Sequence, residues 1–159
     1  MNTIIRPATK EDIQLINDMA QIAFRTTYRE MLSPEQIDYM MDWMYSLPSL
    51  EKQMAQGHSY FLAYRNEAPC GYISIEGNKL QKLYVLPDHQ GKGLGKVLFE
   101  YATAHLRSKG AKSMILNVNR DNKAVEFYKK MGMSILSRGD FHIGSGYYMN
   151  DYIMSLDLL

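Results

Sequence analysis

Three glycines alternate over five residues at Gly91, Gly93 and Gly95, between the apolar run Leu83-Tyr84-Val85-Leu86 and a helical pattern that starts at Gly95. With no Cβ atoms in the way, backbone N–H groups can turn toward one point, and the start of the helix adds a partial positive charge. The chemistry this suits is the holding of phosphate oxygens. Two phosphate loops of known spacing do not fit. The pattern G-x-x-x-x-G-K-[ST] needs one more residue than Gly91 to Gly95 supplies, and Val97 stands after Lys96 where a hydroxyl belongs. The pattern G-x-G-x-x-G needs a third glycine at the position of Lys96, and a place near the start of a parallel sheet. What is left is Gln90-x-x-Gly93-x-Gly95 behind a strand, which taken alone also describes a tight turn before a helix.

A second segment carries more. From Leu116-Asn117-Val118 it runs through Asn122, Ala124 and the pair Phe127-Tyr128 to Gly132, four residues beyond the tyrosine. The interval from Gly95 to Asn122 leaves room for one helix and one strand. In this order the two segments resemble the two signatures of the GCN5-related N-acetyltransferase (GNAT) superfamily. Ile5-Arg6-Pro7-Ala8 with Asp12, and a strand–turn–strand pattern over 60–76, extend the resemblance over essentially the whole chain.

The resemblance implies acetyl-CoA as cofactor. It implies acetyl transfer to a primary amine, on a small molecule, polyamine or peptide, by direct attack through a tetrahedral intermediate. The strands at 80–86 and 114–118 are expected to splay, with the pantetheine arm in the gap along Leu83, Tyr84 and Val85. A backbone donor left free there would stabilise the oxyanion. Gly91, Gly93, Leu94 and Gly95 would wrap the pyrophosphate, with Gln90, Lys92 and Lys96 as further donors. For each lysine a solvated surface position is an equal reading. Asn122 and Phe127 complete the implied cofactor contacts, and Asn122 also reads as a helix N-cap.

Acetyl transfer needs a neutral amine and a proton for the departing thiolate. An alkyl amine with a pKa of about 10.4 is mostly protonated at neutral pH. A general acid typically supplies roughly 100- to 10,000-fold. Tyr128, at the family's tyrosine position, is the expected acid, because a phenol keeps its proton at neutral pH; a packed core tyrosine is the alternative. The base is where the sequence departs from family patterns. Gln81 and Asn117 hold positions where some members carry glutamate, and neither amide takes a proton. They remain acceptor-side contacts together with Tyr28 and Tyr84. Glu76, at the end of the preceding strand, is the nearest acidic candidate. A water path through Gln81, Tyr84 and backbone carbonyls is the other route, and an ordinary turn residue is the other reading of Glu76. No metal is expected, since His58, His89, His105 and His142 lack paired ligand spacing.

The elements that must position these residues read as β-α-α-β-β-β-α-β-α-β-β once a short third helix is set aside. A strand at Ile4–Pro7 leads to a helix capped by Thr9, with Asp12 three residues on and Ile13, Ile16, Ala20, Ile22, Ala23 and Phe24 at helical spacing. Ser33-Pro34 opens a second helix, Pro48 breaks it, and the third runs from Ser49 to Gln56. Ser59–Tyr64, Gly71–Ile75 and Leu80–Leu86 form a meander, with Arg65–Pro69 as its first turn. A helix over 95–106 buries Val97, Leu98, Tyr101, Ala102 and Leu106. The strand 114–118, the helix 124–131 and two closing strands complete the order. The expected class is α+β (mixed α/β): one GNAT-type domain over 1–159, with a central, mostly antiparallel, seven-stranded sheet flanked by helices and strands 4 and 5 splayed. Phe24-x-x-x-Tyr28 with Ser33-Pro34-Glu35-Gln36 more weakly resembles polyamine acetyltransferase-like members. Met40, Met41, Trp43, Met44 and Tyr45 read as helix core, part pocket lining or a homodimer face. Tyr147, Tyr148 and Tyr152 beside Asp151 read as a cradle for a cationic amine or as a solvated strand edge.

The chain has 159 residues, 46% hydrophobic and 22% charged, with 18 basic and 17 acidic side chains. That balance lacks the basic excess of a nucleic-acid binder and the low hydrophobicity of a disordered chain. Cys70 has no cysteine to pair with and reads as a small buried residue. Met1-Asn2-Thr3-Ile4-Ile5-Arg6-Pro7 lacks a signal-peptide pattern, and no run approaches the ~20 apolar residues that span a bilayer. The expectation is a cytoplasmic protein without membrane contact. Two function classes stay open: an N-acetyltransferase, and an acyl-CoA-binding regulator with little catalysis.

Overall fold

The computed structural model describes residues 3–159; Met1 and Asn2, part of the amino-terminal reading, lie outside the described residues. The first strand, β1 (Thr3–Pro7), is tied to the start of the first helix by Arg6, whose guanidinium donates to both oxygens of Asp12 at 2.9 and 2.8 Å. Thr9 and Asp12 close a capping box on a short 3-10 turn, with Thr9 N donating to Asp12 Oδ2 at 2.9 Å. Helix α1 (Ile13–Tyr28) starts directly behind it and buries Ile16, Ala20, Ala23 and Phe24; Ile22, expected among them, is half exposed. Ser33 caps α2 (Pro34–Tyr45), its hydroxyl accepting from Gln36 N at 3.1 Å.

Helix α3 (Leu47–Ala55) starts earlier than the sequence suggests, with Pro48 inside its first turn and Ser46 as cap. A first-turn proline loses no intrahelical donor, so it opens the helix where a breaker is expected. Strands β2 (Ser59–Arg65), β3 (Ala68–Glu76) and β4 (Lys79–Val85) form the meander. Its first turn is only Asn66-Glu67, both at positive φ (51° and 69°), which suits a two-residue hairpin. Pro69 lies in β3 opposite Tyr64, at a register shift that relieves the ladder.

Helix α4 (Leu94–Ser108), strand β5 (Ser113–Asn119), helix α5 (Ala124–Lys130) and strands β6 (Ser134–Gly144) and β7 (Tyr147–Asp157) complete the chain. On α4, Leu98, Ala102 and Leu106 are buried, Tyr101 packs partly buried against the core, and Val97 is exposed at 40%, so the apolar stripe is narrower than expected. The seven strands form one sheet in the order β1-β2-β3-β4-β5-β7-β6. Every pairing is antiparallel except β4–β5, which is parallel and limited to Lys79 opposite Ile115. The Asn78 carbonyl accepts from Ile115 N at 3.1 Å and clasps the strands at this one end; beyond it they part, as the splay requires.

Alternation along the strands gives the sheet two faces. One packs Ile73, Leu98, Met114, Leu116 and fully buried Cys70 under α4 and α5, and burial pushes the Cys70 thiol up. The other packs Tyr60, Leu62 and Tyr72 against Phe24, Met40, Met41, Tyr45 and Leu50 of α1–α3. Phenols on that face are paired within the core: Tyr72 donates to the Tyr45 hydroxyl at 2.9 Å. Among the described residues no helix is long and apolar enough to cross a membrane.

Candidate active site

Ser74 faces Lys82 and Ile75 faces Leu80, so Gln81 is an extra residue on β4, a bulge that bends the strand just where β5 departs. From Gln81 to Val85 the edge of β4 toward β5 has no strand partner among the described residues. The chain then turns through a 3-10 segment, Pro87–His89, into Gly91 and Gly93 at φ of +77° and +79°. Both face open space where a Cβ would stand, and only glycine takes this conformation without strain. Gly93 is the residue before α4, whose first turn has no side-chain cap among the described residues. Its first N–H groups therefore have no intrahelical acceptor and lie at the positive end of the helix. Gly95 is different. Its φ is ordinary, and a Cβ there would meet the Phe127 ring at 3.5 Å, normal contact.

Strand edge, turn and α5 together enclose a cleft of about 760 Å³. Leu83, Tyr84 and Val85 form one wall; Gln90, Gly91, Gly93, Leu94, Gly95 and Lys96 form the second; Asn122, Phe127 and Tyr128 form the third. Gln90 is a strap as well as a wall, its amide donating to the Val85 carbonyl at 3.1 Å. Asn122 Oδ1 accepts from Ala124 N at 2.8 Å, which fixes the start of α5. Tyr128 is buried, and burial, with the nearby Tyr28, pushes its phenol well above the ordinary range, so the oxygen holds its proton.

Other expected residues lie elsewhere. Lys92 is exposed and does not line the cleft. Glu76 pairs with Lys79 at the opposite end of the β3–β4 hairpin from Val85, with one oxygen 3.3 Å from His58 Nε2 and the other accepting from Gln81 Nε2 at 3.3 Å. The hairpin register thus keeps both Glu76 and Gln81 away from the cleft. Asn117 turns its amide to Asp151, 3.4 Å away. Tyr28 is buried behind the wall; burial raises its phenol, and interactions with the side chains of Tyr84 and Asn122 partly oppose this. The tyrosine cradle around Asp151 does not assemble. Asp151 and Tyr152 point to opposite faces of β7, Tyr147 packs on Tyr39 at 5.2 Å, and Tyr148 is exposed against His142.

Two sets of residues escape sequence reasoning, and the burial of Asp151, expected in a tyrosine cradle or on a solvated edge, is a third departure from it. Arg29 and Lys123 join Lys96 as cations around the cleft, with Thr26 and Thr27 beside them. Arg29 directly follows the Phe24–Tyr28 stretch, and Lys123 directly follows Asn122, so adjacency to a motif residue is the signal available for each. Lys82 lies on the tyrosine face of β4, donating to Tyr60 Oη at 2.5 Å and Gln53 Oε1 at 3.0 Å, 4.4 Å from the Tyr45 ring centre. Burial lowers its pKa to about 7. Asp151 is buried and only weakly bonded.

Comparison with known proteins bears on family and fold. The family model described as an Acetyltransferase (GNAT) domain matches residues 28–138. Peptidyl-lysine N-acetyltransferase YjaB of Salmonella typhimurium is 36% identical over 75 residues, 46% of this chain and 48% of that protein, so the match spans about half of that relative's length. Spermidine N(1)-acetyltransferase of Thermoplasma acidophilum is 27% identical over 145 residues, covering 85% of this chain and 90% of that one. Among solved structures, the PaiA N-acetyltransferase of Thermoplasma acidophilum in complex with coenzyme A superposes with a TM-score of 0.80 at 26% identity, covering 99% of both chains.

Proposed function

The chain belongs to the GNAT acetyltransferase family, and from that membership we propose that residues 1–159 form one domain that transfers an acetyl group from acetyl-CoA to a primary amine. The observation that carries this reading is the cleft, which joins a strand edge unpaired among the described residues to a glycine turn at a helix start without a side-chain cap among them, with a buried tyrosine in the same wall. These parts fit the cosubstrate. The open Cβ positions at Gly91 and Gly93 leave room for a pyrophosphate against the first N–H groups of α4, and Lys96, Lys123 and Arg29 supply opposite charge. The free edge of β4 offers backbone donors and acceptors to a pantetheine amide chain. When bound, acetyl-CoA supplies an activated thioester carbonyl. Tyr128 then holds a proton for the sulfur that leaves. Peptide lysine and spermidine, in the names of two relatives, are both primary alkyl amines and support that acceptor class.

Calorimetric titration with coenzyme A tests the site. Gly95→Ala adds a methyl group at the helix start without backbone strain. It is expected to weaken binding at least roughly tenfold, about 1.4 kcal/mol, at undiminished stability. Unchanged affinity in the folded variant would remove the turn from the site.

A further inference from the structure

Strand β6 ends the sheet on the side away from β1, and β7 is its only strand partner among the described residues. Ser137 to His142 pair with Ile153 to Tyr148 without interruption, between register shifts at either end. The direction of each backbone group along this run follows from its far neighbour. Arg120 N, just after β5, donates to the Asn150 carbonyl at 3.0 Å, so Asn150 turns its backbone groups to the β5 side of β7. Asp140, opposite Asn150, is therefore a non-hydrogen-bonded position of the β6–β7 ladder, and its N–H and C=O point outward. By the same alternation those of Arg138 point outward and those of Gly139 inward.

Open edges are usually blunted by brevity, proline or charge. The opposite edge, β1, is five residues long and ends in Pro7. β6 has 11 residues, no proline, and exposed Ile135, Leu136 and Phe141, Leu136 at 66%. Its two charges lie on one face of the run, either side of Gly139. Arg138 makes no ion pair among the described residues, and Asp140 gives only Oδ1 to Arg120, at 2.7 Å.

We propose that β6 pairs antiparallel with β6 of a second copy of this chain, about a two-fold axis at Gly139, so that the two sheets run on as one. Charge selects this register. An axis at Arg138 sets two guanidinium groups opposite each other, and an axis at Asp140 sets two carboxylates. Like charges directly opposite are destabilising. With the axis at Gly139, Arg138 of each copy faces Asp140 of the other. Both residues point their N–H and C=O outward, so each pair exchanges both N–H···O bonds of an antiparallel ladder. The guanidinium then reaches the carboxylate oxygen that Arg120 leaves open. On the other face the Phe141 ring lies over Gly139, where a Cβ would stand 2.8 Å from it. Glycine faces glycine across the axis, and the two Phe141 rings close over them and leave water.

The test uses the full chain and two charge variants, Arg138→Asp and Asp140→Arg. In sedimentation velocity at about 0.1 mM, the parent should have twice the 18.4 kDa chain mass. Each variant sets like charges opposite in both pairs and should self-associate at least roughly tenfold more weakly. An equal mixture of the two variants sets opposite charges in both pairs again and should recover the dimer. A monomeric parent would overturn the proposal, and so would variants that associate like the parent or a mixture no more associated than its parts. Hydrogen exchange on the parent alone gives a second reading. The amides of Arg138 and Asp140 face away from β7 and should exchange slowly in concentrated protein and fast on dilution. Fast exchange at both concentrations would overturn the pairing even if the charge variants fail to fold.

Discussion

Tyr128 is assigned its part by a single oxygen. Tyr128→Phe keeps the ring contacts with Phe99 and Phe127 and removes only the proton held in the cleft wall. Turnover should fall at least roughly tenfold with acetyl-CoA affinity unchanged; steady-state rates beside calorimetry check this, and an unchanged rate with chemistry limiting would remove the residue from the mechanism. Lys82 makes a different prediction. Burial lowers its pKa to about 7, although the rings at 4.4 and 5.2 Å favour its charge. In the unfolded chain the amine titrates at about 10.4. Between those values the unfolded state binds more protons, so stability should rise with pH from 7 toward 9.5. Lys82→Met should flatten that rise in urea unfolding, and identical slopes would refute it. Single residues also divide by how readable they are. Gly91 and Gly93 were legible as turn positions because a positive φ restricts residue type, whereas Asn122 and Tyr128 stood out only through the family resemblance. The burial of Lys82 and of Asp151 was not legible, because long-range packing, not neighbours in sequence, buries a charge.

At the scale of elements, the close approach of β3 to β4 decides where the open edge lies. Gly71 pairs with Val85, and a Cβ on Gly71 would stand 2.6 Å from the Tyr84 carbonyl oxygen and 3.2 Å from Leu98. Since the first of these atoms is backbone, Gly71→Ala must push the strands apart. It should cost about 2 kcal/mol in urea unfolding, as overpacking does, and should also weaken coenzyme A binding by shifting β4. A variant as stable as the parent would show that the spacing is not critical. Glu76 was named as the nearest acid because it ends the strand before β4; hairpin register places it beside His58, at the opposite end of the hairpin from Val85. Capping residues were better guides, since Thr9 and Ser33 act within a few residues of their own position. Pro48 shows the limit of such rules, because the same residue stops one helix or opens the next.

For the molecule as a whole, the sheet order and the parting of β4 from β5 accord with the family pattern, and the order of elements along the chain was readable. The layer of tyrosines between sheet and α1–α3 was not readable, because its phenols meet one another and Lys82 only after the strands have been set in register. The central claim is that this assembly moves an acetyl group onto nitrogen. The direct test incubates the protein with acetyl-CoA and spermidine or a lysine-containing peptide, and monitors free thiol and acetylated amine together. Thiol release should depend on the amine and match N-acetylated product mole for mole, with Tyr128→Phe slow in both. Tight coenzyme A binding with no amine-dependent thiol release and no acetylated product from either acceptor would contradict it, and would favour an acyl-CoA-binding regulator on the same fold.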